Sequence, residues 1–306
     1  MSGRDEHDHE AAGSRALAIA LLINVGVTAL EGVAGVLTGS LALLADSLHN
    51  LSDVASLALA WVGARLSARA PTPSRTFGFL RAEPLVAFVN ALALVPLSGL
   101  LVYAGVQRVG AAAAAGPTVM ALGAFALLAN AASALVLAPH GRSDLGTRSA
   151  LLHLIADAGA SGAVIIGGAL MWLGVPGVDA ILSIGIGLLT AKAALGVLRE
   201  AAHVLAEGAP EGVTAEAVAA ELCAVEGVVD VHHVHVWSIS SHLRAATAHV
   251  VVSDVTNAST RPLLSLLQDR LQESFAVAHA TFQLETVPCR ETGVLADPRH
   301  VGGFNP

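Results

Sequence analysis

Charge is what this chain has least of for its size. Of 306 residues only 16 are Lys or Arg and 24 are Asp or Glu, whereas 54% are hydrophobic. An ordinary globular domain is about a quarter charged, and at a mean hydropathy of +0.68 a soluble fold of this length could not hide its apolar surface. The bilayer must hide it. Cysteine is scarce too: Cys223 and Cys289 are too few for a disulfide scaffold or a four-thiolate site, and they read as incidental thiols. No HExxH run is present, which argues against a zinc peptidase. The polar opening, residues 1–15, precedes an apolar run too long for a signal-peptide core and is expected to be a retained tail. His7 and His9 in that tail, beside Asp5, Glu6 and Asp8, read as solvated rather than as a site.

What is plentiful is apolar sequence in span-sized blocks. A crossing needs about 20 apolar residues, and the blocks are 16–37, 41–65, 80–108, 115–138, 149–173 and 178–204. Only Thr38-Gly39-Ser40 separates the first two, which predicts a tight helical hairpin. Pro96 interrupts the third, and Pro176-Gly177 turns the chain between the last two. Half of the glycine, 30 residues in all, lies inside these blocks, where it lets membrane helices approach closely. Arg65, Arg69, Arg75 and Arg81 flank the second link, Arg142 and Arg148 the fourth, and Lys192 and Arg199 the last exit; Arg108 is the exception on the other side. Positive charge favours the cytoplasmic side, so both termini, the 66–79 and 139–148 links and the final third are expected in the cytoplasm.

Ionisable residues within spans are costly and mark function. The second block contains His49-x-x-x-Asp53 and the fifth His153-x-x-x-Asp157. Residues four apart share a helix face, about 6 Å apart along the axis, so each helix offers an imidazole beside a carboxylate. Two nitrogens and two oxygens make a full tetrahedral shell for a borderline divalent ion such as zinc, with no thiolate to favour a soft monovalent one. Asp46, Asn24, Glu31 and Asn90 are candidates for supporting hydrogen bonds or a water route to the site; Asn24 and Asn90 read equally as interhelical packing.

Beyond Glu207-Gly208 the period changes. Residues 213–224 and 260–275 read as helices and 228–239, 243–253 and 278–286 as strands, a small two-layer α+β domain. A domain this small gains from pairing with a second copy. Histidines gather here: His232, His233, His235, His242, His249 and His279. Strict alternation along VHHVHVW puts His233 and His235 on one face and His232 on the other, so they are not automatically one site. Trp237 reads as a core or interface residue.

TGSLALLADSLHNLSD, the FGFLRAE at 77–83, LLHLIADAGAS, VHHVHVWSI and HATFQLE together resemble the cation diffusion facilitator family of divalent-metal/proton antiporters, over roughly residues 15 to 288. The resemblance implies an all-α six-helix transmembrane domain followed by a cytoplasmic α+β ferredoxin-like domain. The expected boundaries are a tail at 1–15, the transport domain at 16–207, the cytoplasmic domain at 208–288 and a tail at 289–306. It implies a multi-pass protein of the cell (inner) membrane, a homodimer and no enzyme. The expected activity is proton-coupled export of divalent metal: Zn2+ first, Cd2+ or Co2+ next, iron(II) as the alternative cargo, and a tethered metal sensor or metalloenzyme as remoter alternatives. His49, Asp53, His153 and Asp157 match the family's transport site. His232, His249 and Glu285 match a second, regulatory zinc site, with His279 a weaker candidate. No organic cofactor and no nucleic acid are expected. The family's histidine-rich loop is reduced here to PHGRSDLGTR with His140, and residues 66–76 hold neither His nor Asp, so the ion site some members have in the latter loop is expected to be missing.

Overall fold

The structure, a computed structural model, describes residues 22–67, 69–110, 116–137, 145–240, 243–253, 257–287 and 293–295. His7, His9, His140, His242 and Cys289, with the greater part of both tails, lie outside them. The chain divides into two compact units, residues 1–59 with 89–197, and 60–88 with 198–306.

The first unit is helical. Its elements are α1 (Leu22–Thr38) with most of α2 (Leu41–Ser67) and α3 (Ala82–Gln107), then α4 (Gly116–Leu137), α5 (Leu145–Trp172) and most of α6 (Val178–Leu205). Among the described residues, the stretches Ala82–Gln107, Gly116–Leu135 and Val178–Leu205 are long and apolar enough to cross a membrane, and Leu22–Thr38 and Asp157–Trp172 are shorter apolar helices. Large side chains such as Leu92, Leu100, Leu128, Leu135 and Leu189 point outward; in water so broad an apolar surface would drive association, whereas lipid solvates it. The inside is made by Leu43 of α2, Val119 of α4, Val164 and Met171 of α5 and Val178 of α6. Small residues set how near α4 and α5 come: a methyl added at Gly168 would lie 2.6 Å from the Met120 backbone nitrogen, which is the close approach that glycine permits.

The tight hairpin expected at Thr38-Gly39-Ser40 is present, with Gly39 at φ 69, a left-handed turn that glycine makes without strain. Both sides of the turn are tied down. Arg108, just beyond α3, donates from Nη1 to the Gly39 carbonyl at 2.7 Å, which gives the one basic residue that departs from the charge pattern a local role at the end of α1, where helix carbonyls lack partners. Asp179, at the start of α6, accepts hydrogen bonds from the amides of Leu41 at 2.9 Å and Ala42 at 3.1 Å and from the Ser40 hydroxyl.

The second unit holds the sheet: α7 (Ala215–Cys223), β1 (Val228–Ser238), β2 (Arg244–Val252), α8 (Asn257–Phe275) and β3 (Val277–Glu285). Thr214 caps α7, its hydroxyl accepting from the Ala217 amide at 3.1 Å. The sheet order is β1-β2-β3; β1 and β2 pair antiparallel and β2 and β3 parallel, the parallel pair being joined through α8 as such pairs require. Val218 and Leu222 of α7 and Leu267 and Leu271 of α8 pack on Val231, Val234 and Val236 of β1 and Ala246, Ala248 and Val250 of β2.

One expectation for β1 fails. The pairing His232↔His249 is followed by His235↔Thr247, so His233 and Val234 together face the single residue between those partners. This is a β-bulge, with His233 at φ 52. It resets the alternation, so that Val231 and then Val234 both enter the core. His233 is therefore buried beside His232, and it is His235 that faces outward.

Candidate metal sites

In the helical unit, the HxxxD pairs sit on α2 and α5. His49 reaches from α2 toward Asp157 of α5, Nε2 to Oδ1 3.7 Å, with the His49 side chain 28% exposed and that of Asp157 3%. Asp53 follows His49 by one turn of α2, and His153 precedes Asp157 by one turn of α5; the side chains of Asp53 and His153 lie outside the described ones. The structure thus brings together one member of each predicted pair. A carboxylate almost wholly out of water and an imidazole still partly open to it meet between two helices, a buried negative charge that a divalent cation can neutralise.

Around this pair lies a polar layer that sequence reading found only in part. Asp46, Asn50 and Glu31 are all buried. Asn50 donates from Nδ2 to Glu31 Oε2 at 2.9 Å, and the carboxyl groups of Glu31 and Asp46 lie within reach of each other. Asn50 had no signal beyond its place next to His49; its role follows from the hairpin, which sets α1 against α2. Ser47 fastens the same pair of helices by donating to the Thr28 carbonyl at 2.9 Å. Asn24 and Asn90 are half-buried on α1 and α3.

In the sheet unit, β2 places His249 opposite His232 of β1, and β3 runs parallel beside it with Glu285 against Val251. All three side chains lie on the face away from α7 and α8, since the residues around them on each strand fill the core. Their ligand atoms lie within 4.8 Å of one another. His232 is fully buried and its Nε2 is 3.4 Å from Glu285 Oε2; His249 Nδ1 is 2.8 Å from Glu285 Oε1. Asp230 Oδ2 lies 3.7 Å from His232 Nδ1, the position from which an outer carboxylate orients a ligating imidazole. Ligand atoms on a tetrahedral zinc are about 3.3 Å apart, so this donor set fits such an ion with little adjustment.

His279 is not drawn into that cluster. It stands six residues before Glu285, roughly 20 Å along an extended strand, and its ring meets Phe77 edge-on at 5.4 Å between centroids. Phe77 belongs to the FGFLRAE run, whose Arg81 pairs with Glu207 at 2.8 Å and whose Phe79 lies under the Arg75 guanidinium at 4.6 Å. Cys223 is exposed at the end of α7.

A helical unit with opposed His and Asp on two apolar helices, continued by a small sheet with a His/His/Glu cluster, defines a membrane protein built to handle metal ions. Residues 17–206 match the family described as "Cation efflux transmembrane domain", and residues 210–287 the one described as "Cation efflux protein, cytoplasmic domain". The chain is 36% identical over 293 residues to "Zinc transporter ZitB" of Escherichia coli (strain K12), covering 94% of this chain and 92% of that protein. It is 30% identical over 300 residues to the "Cadmium, cobalt and zinc/H(+)-K(+) antiporter" of Bacillus subtilis (strain 168), covering 96% of each. It is 31% identical over 312 residues to "Cation efflux system protein CzcD" of Alcaligenes sp. (strain CT14), covering 99% of this chain and 97% of that protein. The chain belongs to the cation efflux, or cation diffusion facilitator, family.

Proposed function

We propose that this protein exports a divalent transition-metal ion, zinc before cadmium, cobalt or iron(II), from the cytoplasm in exchange for protons. The observation that carries the reading is the meeting of His49 and Asp157 from two different apolar helices at 3.7 Å, each belonging to an HxxxD pair. Its cargo agrees with the zinc, cadmium and cobalt in the names of its relatives.

His49, Asp53, His153 and Asp157 form the transport site in this reading. Both aspartates ionised and both histidines neutral give the site charge −2. One Zn2+ brings it to zero, and so does a proton on each histidine. Either loaded form is tolerable away from water and the empty, unprotonated form is not. Metal and proton compete for the same nitrogens, so the helices change their facing with one cargo or the other. Four protein ligands close the shell, which leaves no open position for a reacting water and separates a carrier from a metalloenzyme.

The transport domain, residues 16–207, crosses the membrane six times; the three helices that are long and apolar by themselves, and the apolar α1 and α5, support that count, with α2 completing it. Residues 208–288 form the cytoplasmic domain, of ferredoxin-like type, supported by the order helix, two antiparallel strands, helix, parallel strand. The protein works as a homodimer in the cell (inner) membrane with both termini in the cytoplasm. His232, His249 and Glu285 hold a regulatory zinc ion there, which favours the paired domains by mass action; no organic cofactor is involved. His279 serves the contact with Phe77 rather than the ion.

The test is metal uptake into inverted proteoliposomes under an imposed pH gradient. Zinc accumulation that collapses when the gradient is dissipated is the expected result; uptake indifferent to the gradient would rule out the exchange.

A further inference from the structure

The His232, His249 and Glu285 cluster supplies three protein ligands, the number that catalytic zinc sites use to keep a fourth position open, whereas sites that only hold the ion are closed by four. A fourth imidazole stands beside them, its nitrogens outside the set of three whose ligand atoms lie within 4.8 Å of one another but its ring close to both others. His233 is 8% exposed; its ring centroid is 5.2 Å from that of His232 and 4.7 Å from that of His249, while His232 and His249 are 5.4 Å apart. An imidazole held by a zinc–nitrogen bond of about 2.0–2.1 Å has its centroid about 3.2 Å from the ion, so two on a tetrahedral ion have centroids about 5 Å apart. All three spacings agree with that figure, and Glu285 lies within hydrogen-bond range of two of the rings.

The backbone gives independent support. His233 sits in the β-bulge at φ 52, a conformation that glycine takes freely and other residues take at a cost. Such strain persists where the surroundings impose it: here the His233 amide donates to the Gly293 carbonyl at 3.2 Å and the Val234 amide to that of Val294 at 2.8 Å. Without the bulge, His233 would point to the helix-covered face. With it, His233 joins His232 and His249, and Val234 takes the core position.

We infer that His233 is the fourth ligand of the cytoplasmic metal site, closing an N3O tetrahedral shell of His232, His233, His249 and Glu285 that suits zinc or cobalt(II). The inference rests on the reading of the other three residues as a metal site. Rotation of the His233 ring brings a nitrogen into the cluster of three, and a turn of His249 that ends its 2.8 Å contact with Glu285 admits the ion. Such a shell holds zinc within one protomer and needs no ligand from the other.

Full-length protein carrying Asp53→Ala and Asp157→Ala, so that the membrane site is silent, is titrated with zinc by calorimetry and with one equivalent of cobalt(II) by visible absorption. His233→Gly removes the ring while keeping the positive φ comfortable, and His233→Asp restores a ligating group; both are compared with His232→Ala/His249→Ala. The expected result is loss of zinc binding in the double histidine variant. In His233→Gly, zinc affinity falls by at least the roughly 10–100-fold that loss of an outer partner costs, and the strong tetrahedral cobalt bands weaken. His233→Asp recovers part of both. Binding lost in the double variant but unchanged, in affinity and in cobalt spectrum, in His233→Gly would overturn the assignment of His233 alone. Zinc stoichiometry unchanged in the double variant would remove the site itself, and His233 with it.

Discussion

Asp179, the second residue of α6, accepts a hydrogen bond from the backbone amide of Leu41, the first residue of α2, at 2.9 Å. Together with the Ala42 amide at 3.1 Å, this gives the N-terminus of the helix that carries His49 a carboxylate borrowed from another helix. First-turn amides have no partner within their own helix, and an anion there is favoured by both hydrogen bonding and the helix dipole. The contact ties the first turn of α2 to the start of α6.

Replacing Asp179 by Ala removes those bonds and leaves the α2 amides without an acceptor. The expected loss is at least the 0.5–2 kcal/mol or so of a lost helix cap, read as a lower melting temperature in detergent. Asp179→Asn, which keeps an accepting oxygen, is expected to lose less. Equal stability of all three proteins would show that the cap contributes nothing.

Asn50→Ala is expected to destabilise the α1–α2 hairpin by about 1–3 kcal/mol, because it strips the buried Glu31 of the donor that now lies 2.9 Å away. Glu31→Gln combined with Asn50→Ala is expected to cost less than the sum of the two single changes, since an amide is cheaper to leave short of a partner than a carboxylate. Strict additivity would mean that the two side chains act separately.

If His153 ligates as proposed, changing it to Asp makes the shell harder and more negative, and the order of ions is expected to move toward manganese and away from zinc. Competition assays in vesicles read this directly; an unchanged order would remove His153 from the shell.

Replacing His232 and His249 together is expected to shift activation of transport to higher cytoplasmic zinc while basal proton-coupled flux remains, since neither residue belongs to the membrane site. Loss of all flux, or an unshifted activation curve, would contradict a regulatory role.

Much of this was legible in the sequence, for identifiable reasons. The hairpin was, because three small or polar residues between two apolar blocks leave room for nothing else, and Gly39 takes the positive φ that the turn needs. Helices α3, α4 and α6 were, because length and hydropathy alone set them apart. The His49 to Asp157 approach was legible as a pairing of motifs though not as a distance. The grouping of histidines on β1 was not. Alternation is a period-two argument, and a bulge adds one residue that no propensity announces when a histidine fills the left-handed position where glycine would be recognised. Asp179 and Asn50 were missed for a related reason: each acts across helices, and its partner, a backbone amide or a carboxylate on another helix, has no local signature.

The central claim is that metal and protons exchange at one site made by α2 and α5. It is tested most directly by following both ions at once in inverted proteoliposomes: zinc added outside, zinc entry and proton exit read with separate indicators, in wild type and in Asp157→Ala. The account predicts that zinc entry drives proton exit in the wild type and that both signals vanish together in Asp157→Ala, although that protein still reaches the membrane and folds. Near wild-type zinc entry by Asp157→Ala, or zinc entry in the wild type with no proton movement, would contradict it.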